Sequence, residues 1–550
     1  MKKICFILLF TSFMLNGQLF TPIEKLTHQD TLRGSNTSFR DWWNVKKYTL
    51  SIVPDFSEQS LAGTNRIKFD IKTVSVMQLD LQEPMQIRYV LTANQDTISF
   101  RKEGNFYFLD LKKYFKNNSF NNEIIIQFSG KPHIAQNAPW DGGWIFTKDK
   151  NDLPWMTVAC QGIGASLWYP CKDYLGDEPE EGMEISIVTE RNLKGIANGR
   201  FVNQFEVNFG SDRELKEVFT WKVQNPINSY NIVPYVGGYV NFKDTYKGEK
   251  GLLTLDYWVL PYNLEKARKQ FEQVKLMLQA LEYWFGPYPF YEDGYKIVES
   301  PHLGMEHQSA IAYGNDYKNG YKGGDISGTG VGLKWDFIII HESGHEWFGN
   351  NITNIDVADM WIHEAFTTYS ETLFTEYHYG KELADKYVIG QRASILNDKP
   401  IIGIYGVNKE GSVDMYAKGA NVIHTLRQII DNDKIFRNIL RGLNKEFYHQ
   451  TVSSRQIEDY ISAKSGINFS KFFDQYLRTV DIPVLEYYFK NNYIFYRWNH
   501  VVTGFSYKVK TSFGELKPSG QWKQKKISEK LKNSEFYVDD NYYIKLSKVE

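Results

Sequence analysis

In the run His341-Glu342-Ser343-Gly344-His345 two histidines stand four residues apart, and Glu364 follows after eighteen intervening residues. On a helix that spacing puts both imidazoles on one side, one turn from each other. Neutral imidazoles and a carboxylate are the ligand types zinc takes, and three protein ligands leave a fourth position open for water. Glu342, between the histidines, is placed to act as general base on that water. The chemistry these residues point to is metal-assisted hydrolysis with one Zn2+ ion. Two elements must position them. Phe337-Ile338-Ile339-Ile340 precedes the motif and is apolar, so the motif helix is predicted to be buried, where ionisable groups need partners or a metal. A second helical stretch over 360–377 carries Glu364 and Glu371 seven apart on one face.

The residues around these positions continue as His345-Glu346-Trp347-Phe348-Gly349-Asn350 and Trp361-Ile362-His363-Glu364-Ala365-Phe366. This resembles the M1 zinc aminopeptidases, or gluzincins. Their pattern is HExxH, eighteen residues and Glu, with Trp-Phe-Gly-Asn after the second histidine and Trp-Leu-Asn-Glu-Gly-Phe around the glutamate. The resemblance implies that His341, His345 and Glu364 are the metal ligands and Glu342 the base. It also implies that Glu371 is an outer carboxylate orienting a ligating imidazole.

Three further segments fit the same family. Leu303-Gly304-Met305-Glu306-His307 resembles its Gly-x-Met-Glu-Asn motif, which implies that Glu306 binds the free α-amino group of a substrate, with Gly304 and Met305 beside it. The chain departs from the motif at Leu303 and His307, and again at Glu346, where the family commonly has Gln. Tyr416-Ala417-Lys418-Gly419 resembles Tyr-x-Lys-Gly, whose tyrosine hydroxyl donates to the tetrahedral oxyanion. Cys160-Gln161-Gly162-Ile163, followed by Tyr169-Pro170-Cys171-Lys172-Asp173, resembles a Gln-containing strand and Pro-Cys-x-Asp loop, which implies that Gln161 lines the pocket for the first substrate residue. The implied activity is zinc-dependent hydrolysis of the N-terminal peptide bond of peptides with a free N-terminus.

A chain of 550 residues with 42% hydrophobic residues suits several domains with sizeable cores. The net charge of −1 gives no basic patch for nucleic acid and no acidic tail. Residues 40–245 alternate in strand fashion, as in Tyr48, Leu50, Ile52 and in Ile67, Phe69, Ile71. The polar run over 246–251 reads as a boundary, and residues 263–285 carry apolar side chains at helical spacing. A Gly-rich stretch over 320–332 has no phosphate-loop pattern and reads as a loop beside the cleft. Strand-like runs return after residue 481. With the resemblance, the expected architecture is multidomain α+β. It comprises an N-terminal β saddle or sandwich (40–245), a thermolysin-like catalytic α+β domain (246–480) and a small C-terminal β domain (481–550). The family's large helical C-terminal domain has no room in this chain, so a short form with a more open cleft is expected.

Lys2-Lys3 followed by an apolar stretch from Ile4 to Met14 reads as a signal peptide over residues 1–17, and export to the periplasm or beyond follows from it. No other segment is apolar for about 18 residues, so no membrane span is expected. Cys160 and Cys171 are then the only cysteines left, and both a disulfide and two thiols are open to them. Oligomeric state is not legible. Three other functions compete: a thermolysin-type endopeptidase, a zinc epoxide hydrolase, and a non-catalytic peptide-binding envelope protein on the same scaffold. Glu306 argues against the first, the missing helical domain against the second, and the intact set of ligands, base and tyrosine against the third.

Overall fold

The computed structural model describes residues 25–210, 214–528, 531 and 534–549. The stretch read as a signal peptide lies outside the described residues.

The N-terminal half is built of strands because its apolar residues recur every second position. Tyr48, Leu50 and Ile52 are buried on Trp43–Asp55, while Ser51 between them is exposed. This strand pairs antiparallel with Ser60–Ile71 and parallel with Met183–Thr189 at the heart of an eight-stranded sheet. A smaller four-stranded sheet includes Gly143–Lys148, Pro154–Ala159 and Pro234–Gly237. Trp43, Trp144, Trp168 and Trp221 are buried in the core between them. Cys160 and Cys171 are both buried there as free thiols.

The middle of the chain combines a five-stranded sheet with a group of helices. The polar run over 246–251 is the tip of a hairpin joining Val240–Gly248 to Gly251–Val259, and both strands belong to that sheet. The helical pattern over 263–285 forms two helices, Leu264–Gln270 and Gln273–Phe285, with Phe271 between them packed against Tyr257 and edge-on to Tyr313 of the sheet. At the sheet's far edge the short strand Gly304–Met305 runs antiparallel to Ile311–Tyr313. It carries the chain directly into Glu306. Phe337–Gly344 packs against this strand and Trp361–Tyr379 packs against that helix; the two helices and the residue after the first carry the candidate metal ligands.

The last residues form a four-stranded sheet that includes Val484–Lys490 and Tyr493–Asn499. Its Leu485, Ile494 and Trp498 join the same apolar core as the helices before it. The architecture is multidomain α+β. Among the described residues, no helix is long and apolar enough to cross a membrane.

Candidate active site

The motif helix Phe337–Gly344 begins at Asp336, whose carboxylate accepts from the backbone N–H of Ile338 (3.1 Å) and Ile339 (3.4 Å). That cap satisfies two of the donors a helix start leaves open. Every residue of the helix is buried. The regular helix stops at Gly344; His345 keeps helical torsions, and the chain then turns sharply at Phe348 and Gly349. The turn brings the Phe348 carbonyl back to within 3.1 Å of His345 Nδ1. A carbonyl only accepts, so His345 carries its proton on Nδ1 and offers the Nε2 lone pair to the cleft.

His341 is fixed in the same sense from another element. Its Nδ1 donates to Glu371 Oε1 at 2.7 Å. Glu371 lies two helical turns beyond Glu364, and its other oxygen accepts from Tyr387 (2.6 Å) and Gln391 (3.1 Å). Two imidazoles therefore present Nε2 atoms on the same side, as the outer partners of metal-ligating histidines arrange.

Glu364 completes the group. Its Oε2 is 3.8 Å from His341 Nε2 and 3.4 Å from His345 Nε2. The ligand atoms of His341, His345 and Glu364 all fall within 4.8 Å of one another. Ligands about 2.1 Å from a tetrahedral zinc lie about 3.4 Å apart, so the spacing suits that ion. Glu364 Oε2 is also buried with no hydrogen-bond partner, an orphaned acceptor that a cation would satisfy. The donor set and this orphan fit a zinc ion held by His341, His345 and Glu364.

Charge in the cluster is unbalanced. Burial works to lower His345, yet Glu306 and Glu364 beside it push it up to about 10. Burial, with His345 adjacent, pushes His341 down to about 3. Burial pushes Glu342 up to about 8 against the pull of His345, and Glu371 up to about 8 against its hydroxyl and amide donors. Burial also works to raise Glu364, and His345 overrides it, so this carboxyl sits below its usual value. Buried carboxylates crowded around two imidazoles form a charge distribution that a divalent cation balances.

The structure brings the remaining sequence-derived positions to the same cleft, a cavity of about 1480 Å³ lined in part by Gln161, Gly304, Met305, Glu306, Glu342 and Tyr416. Oxygens of Glu306 and Glu342 approach within 4.8 Å of a His345 ring nitrogen and of each other. Glu306 Oε1 accepts from Gln161 Nε2 at 2.9 Å, so Gln161 bears on the glutamate itself. Tyr416 keeps 37% of its surface exposed, but its hydroxyl end reaches the Glu364 carboxylate. Burial and that carboxylate raise the phenol well above its usual value, which keeps it a donor. Tyr321 and Ile326 of the Gly-rich loop also line the cleft.

Two of the departures, His307 and Glu346, are buried and engaged away from the metal ligands. His307 Nδ1 pairs with the Tyr235 hydroxyl at 2.8 Å, and Glu346 accepts from Ser309 N (2.8 Å) and Tyr288 (3.2 Å).

Sequence reasoning missed several contacts of the cluster. Tyr230 donates to Glu306 Oε1 at 2.7 Å, and Thr367 Oγ1 lies 3.2 Å from His345 Nδ1. Tyr230 carries no local signal in a chain with 36 tyrosines. His363 was visible as a departure from the family pattern, but its partner was not.

Residues 270–476 match the peptidase family M1 domain. The chain is 22% identical over 468 residues to "Probable aminopeptidase 1" of Sulfurisphaera tokodaii, covering 80% of this chain and 54% of that one. It is 22% identical over 325 residues to leukotriene A-4 hydrolase of Xenopus laevis, covering 56% and 49%. The chain thus spans about half the length of the curated relatives it matches. Its fold is that of the M1 zinc metallopeptidase from Deinococcus radiodurans, with a TM-score of 0.67 at 20% identity over 82% of this chain and 96% of that one. A mutant of that protein bound to a Tyr-Ser-Ala substrate aligns with a TM-score of 0.65 at 19% identity, over 81% and 96%.

Proposed function

We propose, from the premise that this chain carries a peptidase family M1 domain, that it is a zinc-dependent aminopeptidase acting on peptides with a free N-terminus. The observation that carries the reading is the approach of Glu306 and Glu342 to the His341, His345 and Glu364 group within one cleft. A peptide substrate is supported by the tripeptide held by the Deinococcus relative.

His341, His345 and Glu364 would hold a zinc ion. When bound, zinc polarises a carbonyl and makes a water more acidic. The rest belongs to the chain's side chains. Glu342 takes a proton from the attacking water and later gives it to the leaving amine, a task for a buried carboxyl with a raised pKa. Tyr416 donates its phenol proton in a hydrogen bond to the developing oxyanion. Glu306 binds the α-ammonium, beside Gly304 and Met305, and Gln161, which donates to Glu306 Oε1, lines the pocket for the first substrate residue. A fixed anion one residue from the scissile carbonyl admits only the first peptide bond. Glu371 keeps His341 in its ligating tautomer. The reading of residues 1–17 as a signal peptide supports an exported enzyme.

The test is release of free amino acid from unblocked and N-acetylated peptides, with and without a zinc chelator. Chelator-sensitive cleavage of the unblocked set alone is expected. Equal cleavage of both sets would leave a zinc peptidase and remove the exopeptidase role of Glu306. No cleavage of either would move the protein to a binding role.

A further inference from the structure

Glu306 is buried, and its two carboxylate oxygens meet different surroundings. Oε1 accepts from the Tyr230 hydroxyl at 2.7 Å and from Gln161 Nε2 at 2.9 Å. Oε2 lies 3.5 Å from His345 Nε2, on the side of the metal ligands.

A third group lies near Oε1. The backbone N–H of Asn354 donates to His363 Nε2 at 3.0 Å. A backbone N–H only donates, so Nε2 is unprotonated and the neutral ring carries its proton on Nδ1. That Nδ1–H is buried and has no hydrogen-bond partner. It stands 3.9 Å from Glu306 Oε1, too far for a hydrogen bond but close enough for a neutral donor to bear on the carboxylate through space.

These three groups are neutral. A lysine or arginine at Oε1 would orient the carboxylate and also cancel its charge. A phenol, an amide and a neutral imidazole orient it and leave the charge for a cation arriving at Oε2. The donors come from both halves of the chain. Gln161 sits on the turn after Pro154–Ala159, and Tyr230 on the turn Ser229–Asn231, both in the β-rich part. His363 and Glu306 come from the middle. The same seam is tied by Asn231, which donates to Asn350 at 2.7 Å, while Asn350 donates to the Glu306 carbonyl at 2.8 Å.

We propose that Tyr230 and His363 are positioning residues of the amine subsite: they hold Glu306 with Oε1 occupied by neutral donors and Oε2 alone presented to the substrate's α-ammonium. This rests on the aminopeptidase reading and adds that the N-terminal β part sets the selectivity for a free N-terminus.

The experiment uses the full chain with zinc bound and compares wild type, Tyr230→Phe and His363→Phe. Steady-state kinetics on an unblocked peptide, the ratio of cleavage of unblocked to N-acetylated peptide, zinc content and melting temperature are measured. Tyr230→Phe removes one hydroxyl and should raise KM about tenfold with kcat within about twofold. The unblocked-to-acetylated ratio should fall by the same factor. His363→Phe should shift KM in the same direction by about threefold, as expected for a donor beyond hydrogen-bond range. Zinc content should stay at one ion per chain in both. A fall in kcat at unchanged KM, an equal loss on blocked and unblocked peptides, or a loss explained by missing zinc would overturn the positioning role. A wild-type enzyme with no preference for unblocked peptides would instead overturn the aminopeptidase reading, and the proposal with it.

Discussion

Gly304 and Glu342 touch across the cleft: a Cβ built on Gly304 would lie 2.8 Å from Glu342 Oε1 and 3.0 Å from two carbons of Ile338. The edge strand thus packs its backbone against the helix that carries the general base, and only glycine leaves the carboxylate where it is. Gly304→Ala should displace Glu342 and lower kcat by about 10- to 100-fold, because small misplacements of a reacting group are costly. Zinc content should not change, since the ligands lie on other residues. Turnover measured beside metal content checks this, and a fully active alanine variant would show that the base has slack.

Glu342→Gln keeps the shape and removes the base. Turnover should fall by about 10²- to 10⁴-fold. Stability should hold or rise, since burial already disfavours the charged form of this carboxyl and lifts it to about 8. Kinetic and melting measurements on one preparation decide the matter; high residual activity would remove Glu342 from the mechanism.

Glu371 acts through His341. In Glu371→Gln the acceptor at 2.7 Å from Nδ1 loses its charge, and the ring is less firmly held in its ligating tautomer. Zinc affinity should drop by about 10- to 100-fold, as is usual when an outer partner of a metal-ligating histidine is lost. Competition against a chelator of known affinity reads this directly. Unchanged affinity would make Glu371 a packing residue.

Acid should destabilise the fold through buried neutral histidines. Burial lowers His302 to about 4 and His424 to about 3, both below the ordinary value of 6.5. Between those values the unfolded chain binds more protons than the folded one, so their contribution is present above pH 6.5 and lost as pH falls toward 4 and below. Each site adds a slope of up to about 1.4 kcal/mol per pH unit. His302→Leu should flatten the fall in melting temperature on the acid side relative to wild type. Parallel curves would mean that His302 titrates as freely in the folded protein as in the unfolded one.

What depends on neighbours along the chain was legible from residue order alone. Alternation in Tyr48, Leu50 and Ile52 specified a half-buried strand, since side chains on a strand switch faces at every residue. The four-residue step from His341 to His345 specified two imidazoles on one side, since a helix repeats nearly every four. The metal group was legible for the same reason: its members fall on two elements with their own strong local patterns. Local pattern said less about where elements end. Helical spacing runs through 263–285 without a stop, and the chain breaks it into two helices at Phe271, whose ring packs against Tyr257 and Tyr313.

How the substrate-facing groups are held follows from long-range packing. Gln161 and Glu306 meet across 145 positions, and Tyr230 and Glu306 across 76. A tyrosine or glutamine has no sequence pattern that names its partner, because a hydrogen bond depends on where two distant backbones come to rest. The tautomer of each histidine was equally out of reach. It is set by the acceptor or donor on its far nitrogen: the Phe348 carbonyl for His345, Glu371 for His341 and the Asn354 amide for His363. The sequence names the groups that can do the chemistry; packing between the β-rich half and the helices sets which atom of each faces the cleft.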